Sequence, residues 1–441
     1  VGKGILFVTN SGEILPIAYR MRQEGAACEV YIHHPSYHHG YEGLLNRVKL
    51  PDLKRAFQKS DMVVFDITRP NKRDKWDLAM LGMFGLKGNN RSVFGPVADV
   101  MKKTHPVIGG AEWCEDIELD RALGFEIAQK MGLKIPEWKE FSSFKDGEKF
   151  LDGQKDMWIL KPQFNEGFTH KEEWAGELLA KIKEWKAKGK KEFAFILQKL
   201  VAGVEISTEA WFDGVNFRTF NHTAEEKLWM TGGLGCAIGC QNTVVWMKED
   251  ENGLLCNEIR KIEPYLRSCK YVGPVDLNVI VDNQTMWFLE FTPRFGYDAL
   301  YGLLTLLDGP VSNFFYSGFR GKWKKGYAAA ARITIPPFPY QDDKLLKELA
   351  AGVRIENEIN RTPWCWFEDV RQGADCLEVV GADGIVGVVT AHGKTIEESA
   401  NECYSRIKRL KIAGKLQYRT DLGKRAVRAM TRLQGWGHVI R

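Results

Sequence analysis

The stretch Gly273-Pro-Val-Asp-Leu-Asn-Val-Ile-Val-Asp-Asn-Gln-Thr-Met-Trp-Phe-Leu-Glu-Phe-Thr-Pro-Arg-Phe-Gly296 decides how this chain reads. Val275 to Val281 reads as one strand, Asp282-Asn283-Gln284 as a tight turn, and Met286 to Phe291 as the returning strand of a hairpin. Asp276 and Glu290 are fourteen residues apart (290 minus 276), so a hairpin folded at Asn283 sets them nearly opposite each other, facing one cavity. Opposed carboxylates repel unless a cation lies between them. Hard oxygen donors suit magnesium, which takes one or two carboxylates and completes its shell with substrate phosphates. Arg294, just beyond, is placed to hold a phosphoryl oxygen. A surface hairpin whose acids are simply solvated is the competing reading, and the rest of the chain has to separate the two.

At 441 residues the chain is too long for one core, and several domains are expected. Its 44% hydrophobic and 27% charged residues are the mixture of a globular protein. No apolar run reaches the length of about eighteen residues that a spanning helix needs, and no secretory pattern opens the sequence, so a cytoplasmic setting without membrane partners is expected. Nine scattered cysteines without a CxxC pair point to reduced thiols. A net charge of +5 suits an anionic small molecule and does not by itself announce nucleic acid. The basic tail from Lys424 through Arg425, Arg428, Arg432 and Arg441 reads as a solvated helix face, with nucleic acid as its alternative partner.

Working outward, Gly4 to Val8 is a strand, Thr9 to Gly12 a turn, Ile14 to Glu24 a helix closed by Gly25, and Cys28 to Ile32 a second strand. Asp61 to Ile67 adds a buried strand, Trp76 to Phe84 a helix and Ser92 to Phe94 a short strand, which together predict a parallel three-layer domain ending near His105. Beyond it, Glu118 to Met131 reads as one helix, and Trp158 to Lys161, Phe193 to Leu200, Glu205 to Phe212 and Val215 to Asn221 as strands, with Asp213-Gly214 as a hairpin turn. The charged segment Lys322-Trp-Lys-Lys-Gly326 precedes a last domain. Boundaries of 1–105, 106–190, 191–325 and 326–441 follow.

Four motifs then line up. Trp158-Ile-Leu-Lys161, Ile196-Leu-Gln-Lys-Leu-Val-Ala-Gly-Val-Glu-Ile-Ser207, Thr231-Gly-Gly-Leu-Gly235 and Phe288-Leu-Glu-Phe-Thr-Pro-Arg-Phe-Gly296 resemble the ordered motifs of the ATP-grasp superfamily, and within it most resemble phosphoribosylamine-glycine ligase. Gly387-Val-Val-Thr-Ala-His-Gly-Lys-Thr-Ile-Glu-Glu-Ser-Ala400 and Tyr418-Arg-Thr-Asp-Leu-Gly-Lys-Arg425 are similar to that ligase's C-terminal domain. The resemblance implies an α/β and α+β protein: an ATP-grasp fold with an N-terminal Rossmann-like (pre-ATP-grasp) domain and a small C-terminal α+β domain. It also implies an ADP-forming ligase of purine biosynthesis in which ATP turns a carboxylate into an acylphosphate that an amine attacks, with ATP and Mg2+ as cofactors. By position, Arg121 (lysine in the family) and Lys161 bind phosphates, while Gln198, Lys199, Val201 and Glu205 hold adenosine. Asp276, Glu290 and Thr292 take the metal, and Arg294, Glu290 and Lys161 are the catalytic set. Asn10, Ser11, Gly12, Gly232, Gly233 and Gly296 fall at substrate positions. The expected partners are a small amino acid and an amine, bound by a monomer or homodimer.

Besides Arg121, this chain departs from the family in three places. The family's first loop, Gly-Gly-Arg-Glu-His-Ala, is here Asn10-Ser11-Gly12-Glu13-Ile14-Leu15, without the arginine and histidine. The phosphate loop Pro162-Gln-Phe-Asn-Glu-Gly-Phe-Thr169 keeps only Gly167. Thr292 stands where the family has asparagine, with Asn278 or Asp276 available to compensate. A ligase acting on another amine, such as a modified nucleoside or nucleic acid, and a non-catalytic binding scaffold are the rival readings. His33, His34, His38 and His39 crowd one loop as metal donors or as a solvated or substrate-lining loop. Trp364-Cys-Trp-Phe367 reads as core packing, with base stacking as its alternative.

Overall fold

Alternation in the opening strand dictates the first layer: Ile5 and Phe7 enter one apolar cluster, Leu6 and Val8 another, so this strand is covered on both faces. The computed structural model describes residues 4–163, 169–247 and 254–438. In it Gly4–Thr9 lies between Ala27–Ile32 and Met62–Phe65 in a five-stranded parallel sheet, with Asn46–Arg47 and Val107–Ile108 at its edges. Chain order reverses beside the first strand. The loops after Thr9 and Phe65 therefore flank a crevice at the carboxyl ends of the strands, where parallel sheets bind ligands. Ser92 to Phe94 is not the expected strand: Ser92 makes a single bridge to Pro70, and Phe94–Met101 is a helix whose Pro96 sits in the first turn, where no N–H is needed.

The expected helix Glu118 to Met131 is two helices, Glu112–Leu119 and Arg121–Lys130. Asp120 breaks them with extended backbone and then caps the second, its Oδ1 accepting from the Leu123 N–H at 3.1 Å. Next comes a four-stranded antiparallel sheet in the order Trp138–Phe141, Phe195–Lys199, Trp158–Pro162, His170–Lys171. Trp158, Leu160, Phe195 and Leu197 pack under the helices Phe144–Leu151 and Glu177–Ala187. Parity then turns Lys161, Ile196 and Gln198 to the opposite face.

The largest sheet has eight antiparallel strands, ordered Met286–Thr292, Gly273–Val281, Val204–Phe212, Phe217–Met230, Leu234–Met247, Tyr327–Thr334, Ile385–Gly393, Cys365–Phe367. It runs without interruption from the strand ending at Met247 into Tyr327–Thr334, so the last segment of the chain extends the central sheet. Val215 to Asn221 is longer than expected, beginning at Phe217 and continuing to Met230, after a turn in which Asp213 Oδ1 accepts from Val215 and Asn216. Val275, Leu277, Val279 and Val281 are buried in the core, which turns Asp276 and Asn278 to the other face.

Asp276 does not lie opposite Glu290. Asp276 pairs with Thr292 and Asn278 with Glu290, because a bulge at Leu289 adds one residue to the returning strand. An unbulged continuation from the Val281 and Met286 pair would set Glu290 against Leu277, on the core face. The bulge is what turns Glu290 toward Asp276.

Candidate active site

Glu290 and Asp276 share their face with Ser207, Glu205 and Glu209 of the neighbouring strand, where Glu209 pairs with Asp276 and Ser207 with Asn278. Burial lifts Asp276 to about 7, Glu225 adding to the effect and Lys227 opposing it. Its Oδ2 accepts from Asn278 Nδ2 at 3.0 Å, while its Oδ1 is buried with no partner. Burial and then Asp276 raise Glu209 to about 8. Glu290 is different: desolvation pushes it up, but Arg121, Lys161 and Lys227 together outweigh that and hold it at about 2. Its side chain keeps 37% exposure, and Arg121 Nη1 donates to its Oε2 at 2.6 Å.

Arg121 and Lys161 bring the second sheet to this face. Arg121 opens its helix, its N–H donating to Gln163 Oε1 at 3.0 Å and its Nε to the Pro162 carbonyl at 3.3 Å. Lys161 is buried, 3.5 Å from the Leu289 carbonyl that the bulge releases and over the Phe125 ring. Burial depresses its amine to about 8 although Glu290 pulls the other way. Arg294 donates through Nε to Glu118 Oε1 at 2.8 Å, and Glu118 is itself held by the Thr68 hydroxyl at 2.9 Å. Four cations, Arg121, Lys161, Lys227 and Arg294, thus act on one partly open carboxylate, with a second carboxyl beside it that has one unpaired oxygen. Such a site attracts a polyanion and a hard cation together.

The expected adenosine residues divide. Gln198 is buried on the cleft face with neither side-chain polar atom paired. Lys199 turns outward to Asp156 at 2.6 Å, and the Lys199 and Leu200 amides are taken by the Glu137 and Met157 carbonyls, so these two N–H groups are not free to read a base. Val201 and Ala202 instead line a cavity of about 480 Å³ with Trp287, Arg432 and Trp436. Trp287 pairs with Ile280, on the face that carries Asn278 and Asp276. Glu205 is clamped: Lys227 Nζ reaches its Oε1 at 2.8 Å and Arg425 its Oε2 at 3.1 Å, a pair that outweighs burial and holds it at about 2.

Thr292 lies opposite Asp276 and is buried, and Gly296 packs close to the acid pair, where a Cβ would come within 3.1 Å of Glu209 Oε2. Gly232 and Gly233 sit at a hairpin tip, the Gly232 amide donating to Asp421 Oδ2 at 2.8 Å; among the described residues no hydrogen bond joins them to the Glu290 group. Gly167 lies outside the described residues. Asn10 to Gly12 occupy the crevice of the parallel sheet, where Asn10 Oδ1 is buried and unpaired and the Ser11 hydroxyl donates to Glu13 at 2.8 Å. The histidines are used locally: His33 Nε2 meets Asp77 at 2.8 Å and His39 meets Glu42 at 2.8 Å, and no cluster of three or more histidines, cysteines and acids that could hold a metal occurs among the described residues. Trp366 is buried and stacks on Tyr301, as core packing.

Sequence reading missed Lys227, Glu118, Glu209 and Arg425. Glu209 was within reach, because Glu205, Ser207 and Glu209 alternate with apolar positions along one strand. The others act across folds that no local pattern records.

A Rossmann-like sheet followed by two antiparallel lobes facing each other across a charged cleft is the ATP-grasp fold. Within that class the sequence is similar, at low identity, to phosphoribosylamine-glycine ligases. It is 22% identical to the chloroplastic enzyme of Arabidopsis thaliana over 253 residues, 53% of this chain and 46% of that one, so it spans about half the length of that relative. With the Clostridium acetobutylicum enzyme it shares 20% identity over 369 residues, 75% of this chain and 82% of the other. The crystal structure of the Thermotoga maritima enzyme superposes with a TM-score of 0.68 at 16% identity, covering 95% of this chain and all of that one. No protein-family profile matches the sequence. Among the described residues no helix is long and apolar enough to cross a membrane.

Proposed function

We propose that this chain is an ATP-dependent carboxylate-amine ligase that activates glycine or another small amino acid as its acylphosphate and transfers the acyl group to an amine. The observation that carries this reading is the convergence of Arg121, Lys161 and Arg294 around Glu290, with Asp276 on the same face. The donors fit magnesium: Glu290 and Asp276 are hard oxygen ligands, and the orphaned Asp276 Oδ1 is a buried acceptor without a protein partner. Glu290, Asp276 and the Thr292 hydroxyl would hold the ion, with Asn278 beside them. Bound there, magnesium supplies charge neutralisation for phosphoryl transfer.

The chain's own groups do the remaining work. Arg121 and Lys161 draw the nucleotide phosphates into the cleft, and the two indoles beside Val201 offer flat walls to the base. Glu205 faces the ribose, trading part of its hold on Arg425 for the sugar hydroxyls. The substrate carboxylate attacks the terminal phosphorus, and the bond to ADP breaks with its electron pair. Arg294, anchored on Glu118, stabilises the charge on the transferring group. The amine lone pair then attacks the acyl carbon, a C–N bond forms, phosphate departs with the C–O electrons, and the surplus proton leaves the nitrogen.

A non-catalytic scaffold draws support from the clamped Glu205 and from Thr292. Nucleotide binding and turnover separate the two. ATP with magnesium at a hundred times its dissociation constant is expected to stabilise the fold by about 2.7 kcal/mol, and amino-acid-dependent ADP release is expected to vanish in Glu290→Gln while the fold survives. Full activity in Glu290→Gln would overturn the assignment; no stabilisation by ATP would favour the scaffold.

A further inference from the structure

Where the loop after the first strand meets the last segment of the chain, a cavity of about 70 Å³ is lined by Ser11, Glu13, Arg332, Glu368, Asp369 and Asp383, among others. Four of those side chains are carboxylates. The one guanidinium offsets them only in part: Arg332 donates its Nε and Nη2 to Asp298, at 3.2 and 2.8 Å, and acts on Glu368 and Asp383 through its charge. Asp369 Oδ2 is satisfied by the Gly381 and Ala382 amides, at 2.9 and 2.7 Å. Glu368 is not satisfied: its residue is 9% exposed, it lines the cavity, and its Oε1 has no hydrogen-bond partner. A buried acceptor left without a donor is costly, more so when charged. The cavity wall therefore asks for a donor, and a cationic one is favoured because it would ionise the carboxyls that burial otherwise keeps protonated.

An anion is excluded by the same inventory. The arginine and histidine of the family's first loop are absent here, with Gly12 and Ile14 at their positions, while Glu13, which matches the family's glutamate, lines the cavity. A phosphate placed there would meet four carboxylates and a guanidinium already engaged. A metal ion finds no converging set of three donors among the described residues. An ammonium group brings three donors, and the volume, roughly two waters' worth, takes it with a short methylene stem. Burial keeps Glu368 well above its ordinary range and, with the neighbouring acids, lifts Asp369 to about 8 and Asp383 to about 6, the signature of carboxyls short of a counter-ion.

Glu13 and Glu290 both act electrostatically on Arg294, and Tyr297, three residues beyond Arg294, reaches 3.4 Å from Asp66 at the rim of the same crevice. We propose that this cavity seats a second, non-reacting ammonium group of the acceptor, so that the amine substrate of this chain is an aliphatic diamine or longer polyamine and not a sugar phosphate. The proposal rests on the ligase reading for its reaction and on the cavity alone for its ligand.

The probes are 1,4-diaminobutane and ribose 5-phosphate, titrated calorimetrically against the full chain, the Glu368→Gln variant and the Asp383→Asn variant. Each substitution keeps the shape and removes a charge. The expected result is saturable diamine binding, weakened at least about tenfold in both variants, no uptake of the sugar phosphate, and amino-acid-dependent ADP release stimulated by the diamine. Equal affinity for the diamine in wild type and Glu368→Gln, or preferential binding of ribose 5-phosphate, would overturn it. The two readings fail separately. ADP release that a diamine neither stimulates nor binds to support sinks this proposal and leaves the ligase; diamine binding lost in Glu368→Gln without any ADP release leaves the cation site and sinks the ligase.

Discussion

Lys161 shows how much of this site is set by what surrounds a single side chain. At the end of a buried strand it has lost most of its water, and desolvation lowers its amine from 10.5 to about 8 despite the attraction of Glu290. In the folded protein it therefore binds fewer protons than in the unfolded chain between those values, so its own contribution to stability grows as pH rises from about 8 to 10.5. Nucleotide binding runs the opposite way. Phosphate oxygens beside the amine favour the charged form, so binding near pH 8 to 9 is expected to take up part of a proton through Lys161, and affinity is expected to fall as pH climbs past 8. Calorimetry with an ATP analogue in two buffers of different ionisation enthalpy measures that uptake, and Lys161→Met should abolish it while weakening binding about tenfold or more. Uptake unchanged in Lys161→Met would move the phosphates away from this residue.

At the level of elements, the break at Asp120 matters more than its length suggests. One uninterrupted helix would carry Arg121 along its middle; the break makes Arg121 a first-turn residue whose N–H is free for Gln163 and whose side chain is free for Glu290. Removing the cap with Asp120→Ala is expected to cost about 1 kcal/mol, read as a lower urea midpoint, and to weaken nucleotide binding because Arg121 loses its fixed origin. A loss of stability with untouched nucleotide affinity would show that the cap serves folding alone. The break itself is hard to read, since helical residues precede and follow Asp120 and an aspartate can either cap or sit exposed. The bulge at Leu289 left a trace, the three-residue step from Phe288 to Phe291 where alternation requires two. The opening β-α-β unit and the strand at Lys161 were legible because both repeat an apolar period over several residues. Glu118 under Arg294 and Arg425 on Glu205 were not, lying 176 and 220 residues from their partners, where only the folded topology relates them.

Across the whole molecule, the last segment closes the cleft that the middle of the chain builds. The central sheet continues into Tyr327–Thr334, and the final helix Lys424–Gly435 returns to set Arg425 on Glu205 and Arg432 and Trp436 over the cavity beside Val201. Among the described residues of the basic tail only Arg425 is half-buried; Lys424, Arg428 and Arg432 stay exposed on a solvated helix face. The helix is held by Arg419, whose side chain is 1% exposed and binds Asp421 at 2.8 and 2.9 Å, Glu226 at 3.3 Å and the Leu228 carbonyl at 2.6 Å. Deleting one member of such a buried network strands the rest, so Arg419→Ala is expected to lose about 3–5 kcal/mol and to expose the segment after Tyr418 to protease. Arg425→Ala keeps that anchor and removes one of the two cations on Glu205, leaving Lys227, so it should leave protease resistance intact and change nucleotide affinity alone. If both variants are cut equally fast, the helix is held through Arg425; if Arg419→Ala alone is cut, Arg419 is the anchor and the nucleotide cleft is completed by an element docked from the far end of the chain.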